Sequence, residues 1–258
     1  MKLLLAFLLI AFGGPALAAI SIVSVGTPAS ESNSSGTDSV VNFTAGFLEN
    51  DLLFGCISAS QNALDLATTH TWPAGWTEIV EISTDAGTGN GINCAWHKAA
   101  SDDEIASVTA TAAATTGYLS VGVVIRGQDL TTPIDVKAEG TTQPNAANNT
   151  TPTVTTTIDN VLVVRLVAVD DNLALTFSDP GAGGSALRFS VQLEGGGNGT
   201  SFGWYDLLET SAGVTGTEVI SWTGDSEENI SFTFGFRPAV AGSSIAPISS
   251  NHARRRRS

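Results

Sequence analysis

The sequence predicts an all-β protein, on three observations: runs of clean period-two alternation, turn-forming clusters between those runs, and no amphipathic helical pattern. In YLSVGVVIRG, Leu119, Val121, Val123 and Ile125 fall on one face. In LRFSVQLE the apolar set is Leu187, Phe189, Val191 and Leu193, with Arg188, Ser190 and Gln192 opposite. In ISFTFGFRP it is Ile230, Phe232, Phe234 and Phe236, against Ser231, Thr233 and Arg237. Each run reads as an antiparallel strand with one buried and one wet face. NVLVVRLVAV is more uniformly apolar and reads as a central strand. The clusters TDAGTGN, SDDE, TTQPNAANNTTP, SDPGAGGS and EGGGNGT supply the turns. Gln61 to Thr71, the longest stretch without alternation, has room for a helical turn.

In chain order, MKLLLAFLLIAFGGPALAA has a basic start, an apolar run and the small-x-small triplet Ala16-Leu17-Ala18. This is the pattern of a secretory signal peptide over residues 1–18, cut after Ala18. The run is short for a membrane span, which takes about 20 apolar residues. Residues 19–240 are expected to form the β domain, and 241–258 a Ser/Ala/Pro linker ending in Arg254 to Arg257. The domain contains an internal echo. DLLFGCIS, PAGWTEIVEI, INCAWHKA, SVTATA and YLSVGVVIRG are followed, past an Asn-rich linker at 144–150, by NVLVVRLVAV, ALRFSVQL, SFGWYDLL, EVISWT and ISFTFGFRP. Two similar five-strand halves forming one sandwich would bury edges and apolar faces that each half alone leaves exposed.

Charge narrows the partners. The chain carries 11 basic and 25 acidic residues; setting aside Lys2 and the four terminal arginines leaves 6 basic residues and a body near −19. Such a body repels nucleic acid and anionic membrane surfaces. Beyond the signal segment no apolar run is long enough to span a bilayer. The two cysteines, Cys56 and Cys94, each share a strand face with apolar neighbours. In an oxidising compartment this favours a disulfide, with two buried thiols as the alternative.

The order of short motifs carries a resemblance. Asp51-Leu52-Leu53 opens an apolar strand, Pro73-Ala74-Gly75-Trp76-Thr77 forms a turn, and Cys94 to Lys98 makes a second strand. Val121 to Gly127 then ends in Arg-Gly, and Pro133-Ile134-Asp135 follows. Together with DNVLVV and ISFTFGF, this order resembles secreted bacterial and phage-associated β-sandwich surface or fibre proteins. The resemblance implies an antiparallel jelly-roll-like sandwich on a cell or virion surface, and no catalytic residue.

Candidate contact residues follow from loop chemistry. Trp72 and Trp76 lie in one loop, where they either plug an end of the fold or stack on a sugar ring. Asp102 and Asp103 are acidic loop partners, and such loops also suit Ca²⁺, although no D-x-[DN]-x-[DN]-G loop is present. His70, His97 and His252 are the only histidines, and no G-x-S-x-G elbow accompanies them. The sequence therefore points to an exported, non-catalytic module for adhesion or glycan recognition, whose partners are a surface glycan or neighbouring subunits. A structural virion or cell-surface subunit and a glycosidase or lyase are the alternatives.

Overall fold

Alternating Val, Ile, Thr and aromatic residues favour extended backbone, and strand is the only regular structure in the described part of the chain. The computed structural model describes residues 19–31, 37–60, 70–83, 90–102, 106–112, 117–170, 175–180, 184–193, 199–224 and 227–239. The signal segment, most of the Gln61–Thr71 stretch and the arginine tail lie outside them; His70 and Thr71, expected in a helical turn, are a strand.

The first half comprises β1 (Ser21–Val25), β2 (Ala29–Glu31), β3 (Asp38–Asn42), β4 (Leu52–Ser60), β5 (His70–Thr71), β6 (Thr77–Ser83), β7 (Asn90–Lys98), β8 (Ser107–Ala112) and β9 (Gly117–Arg126). The second comprises β10 (Ile134–Glu139), β11 (Gln143–Ala146), β12 (Asn148–Thr151), β13 (Thr155–Thr156), β14 (Val161–Asp170), β15 (Thr176–Phe177), β16 (Ala186–Leu193), β17 (Thr200–Glu209), β18 (Gly213–Val214), β19 (Glu218–Thr223) and β20 (Glu227–Phe236). A six-stranded antiparallel sheet runs β1-β9-β4-β7-β6 with β2 also on β9, beside a three-stranded sheet β3-β8-β5. The second half repeats this order as β10-β20-β14-β17-β16 with β11 on β20, and β12-β19-β15; among the described residues only the β13-β18 pair is added.

The repetition reaches single residues. Asn50 and Asn160 both adopt positive φ, 71° and 60°, just before β4 and β14, a conformation that Asn tolerates better than most residues. Counting from them, Leu52 matches Leu162, Gly55 matches Arg165, and the Cys56–Cys94 pair matches Leu166–Trp204. Irregularities of register recur at the same places, in β1 and β10 and in β6 and β16.

The two large sheets share one core. Phe54, Cys56, Cys94, Val121 and Val123 of the first meet Val164, Leu166, Trp204, Phe232 and Phe234 of the second. Phe54 stacks on Phe234 at 5.1 Å and meets Trp204 and Phe236 edge-on. Each small sheet covers the outer face of its own large sheet. Val41, Val108 and Ala110 pack on Leu53, Ile57 and Val124, while Ile220, Trp222 and Phe177 pack on Val167, Val169 and Tyr205. This covering corrects one expectation. YLSVGVVIRG and ISFTFGFRP have no wet face, because Ser120, Ser231 and Thr233 lie beneath the outer layers and are buried. LRFSVQLE has Arg188 and Ser190 exposed, but the register shift between Leu187 and Phe189 divides its expected single apolar face: Leu187 packs on the outer cluster, Phe189 and Val191 on the shared core.

Cys56 and Cys94 are directly paired on β4 and β7 and joined in a disulfide, their Cα atoms 4.2 Å apart. A bridge across this 38-residue separation contributes about 4 kcal/mol in the chain-entropy picture.

Candidate functional site

Pro73 to Trp76 form a tight turn, closed by the Trp76 N–H donating to the Pro73 carbonyl at 3.2 Å. Gly75 takes the third position with φ of 90°, which only glycine adopts at little cost. His97, on the outer face of β7, donates from Nδ1 to the Gly75 carbonyl at 3.0 Å and fixes the turn to the sheet. The rings then form a column: Trp72 and Trp76 stack at 5.1 Å, Trp76 and His97 at 5.6 Å, and Phe43 lies 5.9 Å from Trp76. Both tryptophans stay half-buried, while Pro73, Ala74, Gly75 and Glu78 are exposed around them.

Backbone and polar groups hold the column. A Cβ on Gly55 would lie 2.8 Å from the Trp72 ring, so the missing side chain is what lets the indole lie on β4. The Trp72 Nε1–H donates to Asn93 Oδ1 at 2.5 Å, and Asn93 Nδ2 donates to Glu78 Oε2 at 3.2 Å. Glu81 stands on the same face of β6, opposite Asn93. Burial, reinforced by the neighbouring Glu78 charge, raises its carboxyl above the ordinary value of 4.5, and the His70 backbone amide offsets part of that rise. One Glu81 oxygen, Oε1, is buried with no hydrogen-bond partner.

The four sequence candidates separate in space. Trp72 and Trp76 come together, but with each other and with His97, so both faces of Trp76 are covered. Asp102 accepts the Glu49 amide at 2.8 Å, in the loop that leads to Asp51. Asp103 lies outside the described residues, as does Glu104 of the same loop. Among the described residues no group of three or more His, Cys, Asp or Glu side chains is placed to hold a metal ion. The sequence does not mark His97, Gly55 or Asn93 as site residues; period-two counting only puts His97 on the strand face opposite Cys94 and Trp96.

A serine and a histidine also lie together in the buried outer layer. Ser39 Oγ lies 3.2 Å from His70 Nε2, a pairing that sequence reasoning does not supply. With Ser39 1% and His70 3% exposed, neither can meet a substrate in this conformation. The pair joins β3 to β5 across β8.

In the second half the position equivalent to Gly55 is filled by an ion pair. Arg165 is buried and donates from Nε to Glu218 Oε2 at 2.8 Å, and Glu218 also accepts the Ser185 amide at 2.8 Å and its hydroxyl at 2.5 Å. Burial lowers the Arg165 pKa, and the charges of Glu218 and Glu209 oppose that shift. At the ends of the large sheets Asp51 receives Arg126 through two bonds, at 2.8 and 2.6 Å, and Asp135 receives Arg237. The Asp-Leu-Leu, Arg-Gly and Pro-Ile-Asp motifs are thus parts of structural ion pairs.

No family model, no curated protein and no solved structure matches this chain. Among the described residues no helix is long and apolar enough to cross a membrane, and the disulfide is compatible with an extracellular protein.

Proposed function

We propose that the chain is an exported, non-catalytic surface or fibre-type module, a jelly-roll-like β-sandwich built twice, that works by adhesion or glycan recognition. The strand orders support the jelly-roll-like reading: β2, β9, β4 and β7 lie side by side in one sheet, against β3, β8 and β5 in the next. The secretory pattern of residues 1–18 and the disulfide support export. The observation that carries the recognition reading is the half-buried Trp72–Trp76 pair, set in an exposed turn beside the Glu78 carboxylate. Aromatic edges next to polar acceptors suit the mixed apolar and hydroxyl surface of a sugar. Because Trp76 gives both faces to its neighbours, contact falls to the ring edges and the rim.

The test is titration of the mature chain with a panel of surface polysaccharides, with and without calcium. Saturable binding is expected, abolished by Trp72→Ala/Trp76→Ala and weakened several-fold by Glu78→Gln. Unfolding of the double alanine variant would give the rings a purely structural role, leaving Glu78→Gln to report on the rim. An absence of saturable binding across the panel would transfer the reading to an assembly subunit.

A further inference from the structure

Asn-x-Ser/Thr triplets, the pattern read by enzymes that transfer oligosaccharides to exported chains, begin at Asn33, Asn42, Asn148, Asn149, Asn198 and Asn229. The fold sorts them. Asn33 and Asn198 lie outside the described residues. Asn149 and Asn229 are both 0% exposed and bonded to each other, Asn149 Nδ2 donating to Asn229 Oδ1 at 2.5 Å. Asn229 Nδ2 donates in turn to the Gln143 carbonyl at 3.2 Å and the Ala146 carbonyl at 3.4 Å. A glycan on either nitrogen would break these bonds and force a sugar between packed sheets. Asn42 is half-buried, and its Nδ2 donates to the Thr27 carbonyl at 3.3 Å.

Asn148 differs. It opens β12, where alternate side chains point to opposite faces, so Asn148 and Thr150 are exposed while Asn149 between them is buried. The acceptor amide and the hydroxyl two places on therefore share one solvent face. We propose that Asn148 is the acceptor of an N-linked glycan, transferred from an oligosaccharide carried on a lipid pyrophosphate. In that step Asn148 Nδ2 bonds to C1 of the first sugar and gives up one of its two protons to a base of the transferring enzyme. The bond from C1 to the phosphate oxygen breaks, and the lipid pyrophosphate leaves with the electron pair; nothing is oxidised or reduced. The place suits a bulky, hydrophilic group. Strand β12 ends the small sheet β12-β19-β15, and Val219, opposite Thr150, is 54% exposed. A glycan there covers an open strand edge and the apolar side chain beside it. The inference rests on the export part of the reading above and not on recognition by Trp72 and Trp76, so a failure of saccharide binding leaves it standing.

The test is secretion of the full chain from cells that carry out N-linked transfer. The mature protein is treated with a glycan-removing amidase in heavy-oxygen water, which turns each glycosylated Asn into labelled Asp, and its peptides are weighed. Label is expected at position 148 and at neither 149 nor 229. Thr150→Val destroys the Asn148 triplet but keeps that of Asn149, whose hydroxyl residue is Thr151; it should lower the label at 148 about ten-fold or more. Thr150→Ser should retain most of it, and both variants should melt like the parent because the residue faces solvent. An unlabelled Asn148 in the secreted chain, label at Asn149 or Asn229, or a Thr150→Val variant labelled at 148 like the parent would each overturn the assignment.

Discussion

Gly55 and Arg165 occupy the same place in the two halves, on the outer faces of the central strands β4 and β14. At the first, the absent side chain admits Trp72, and the space between sheets is filled by a column of rings. At the second, a long side chain fills the space itself but brings a charge, and Glu218, Thr215 and Gly216 supply its acceptors. Apolar filling tolerates loss of one partner in proportion to the area removed. A buried charge does not, because removing its counterion leaves the full desolvation cost. One backbone plan therefore carries two kinds of fragility, and the halves should fail differently.

The largest effect is expected at Glu218. Glu218→Ala leaves Arg165 buried and uncompensated and should cost about 3–5 kcal/mol of stability, measured by denaturant titration. The paired change Arg165→Met/Glu218→Leu makes the second half resemble the first, and should restore most of that loss. An alanine variant as stable as the parent would remove the contrast between the halves.

A second contrast lies on the inner faces, where the disulfide Cys56–Cys94 stands in the place of Leu166–Trp204. Cys56→Ala/Cys94→Ala should lower the unfolding free energy by about 2–4 kcal/mol and steepen the denaturant dependence, because the unbridged unfolded chain is more expanded. With Cys56 1% and Cys94 0% exposed, the native chain should resist reductant until it opens. Rapid reduction of the folded protein would contradict that burial.

How far the sequence went follows the same division. The five echoed segments of each half land on β4, β6, β7, β8 and β9 and on β14, β16, β17, β19 and β20, because alternation and turn chemistry are local signals. The Cys56 and Cys94 faces were legible for the same reason. What was not legible is which faces are covered by a second layer. Ser231 and Thr233 read as wet because a hydroxyl on an alternating strand normally is, and only the position of the outer sheet buries them. The roles of Gly55 and Asn93 depend on where a loop 17–21 residues away lays its indole, and no spacing rule encodes that contact.

Gly55→Val sharpens the outer-layer comparison with a smaller effect. Its Cβ alone falls 2.8 Å from Trp72, so the ring must shift and the variant should lose about 1–3 kcal/mol. Tryptophan fluorescence should shift to the red as Trp72 moves towards water. An unchanged spectrum with unchanged stability would mean that the column does not depend on the glycine.

The smallest effect is expected at Glu81, whose counterpart is the neutral Ser190. Burial, together with the Glu78 charge, raises its folded-state pKa above 4.5. Between the unfolded and folded values the native chain holds more protons than the unfolded one, so stability falls as pH rises through that window. Its contribution is fully present below about 4.5 and is lost as pH climbs past the raised value. Glu81→Gln removes the ionisation. The variant should match the parent at acid pH, exceed it slightly at neutral pH, and show a flatter stability profile as pH rises above 4.5. A parent profile that is already flat there, or one that rises through the same window in the parent alone, would show that the Glu81 carboxylate is stabilised by its surroundings after all. The edge of β6 would then owe its charge to local hydrogen bonding.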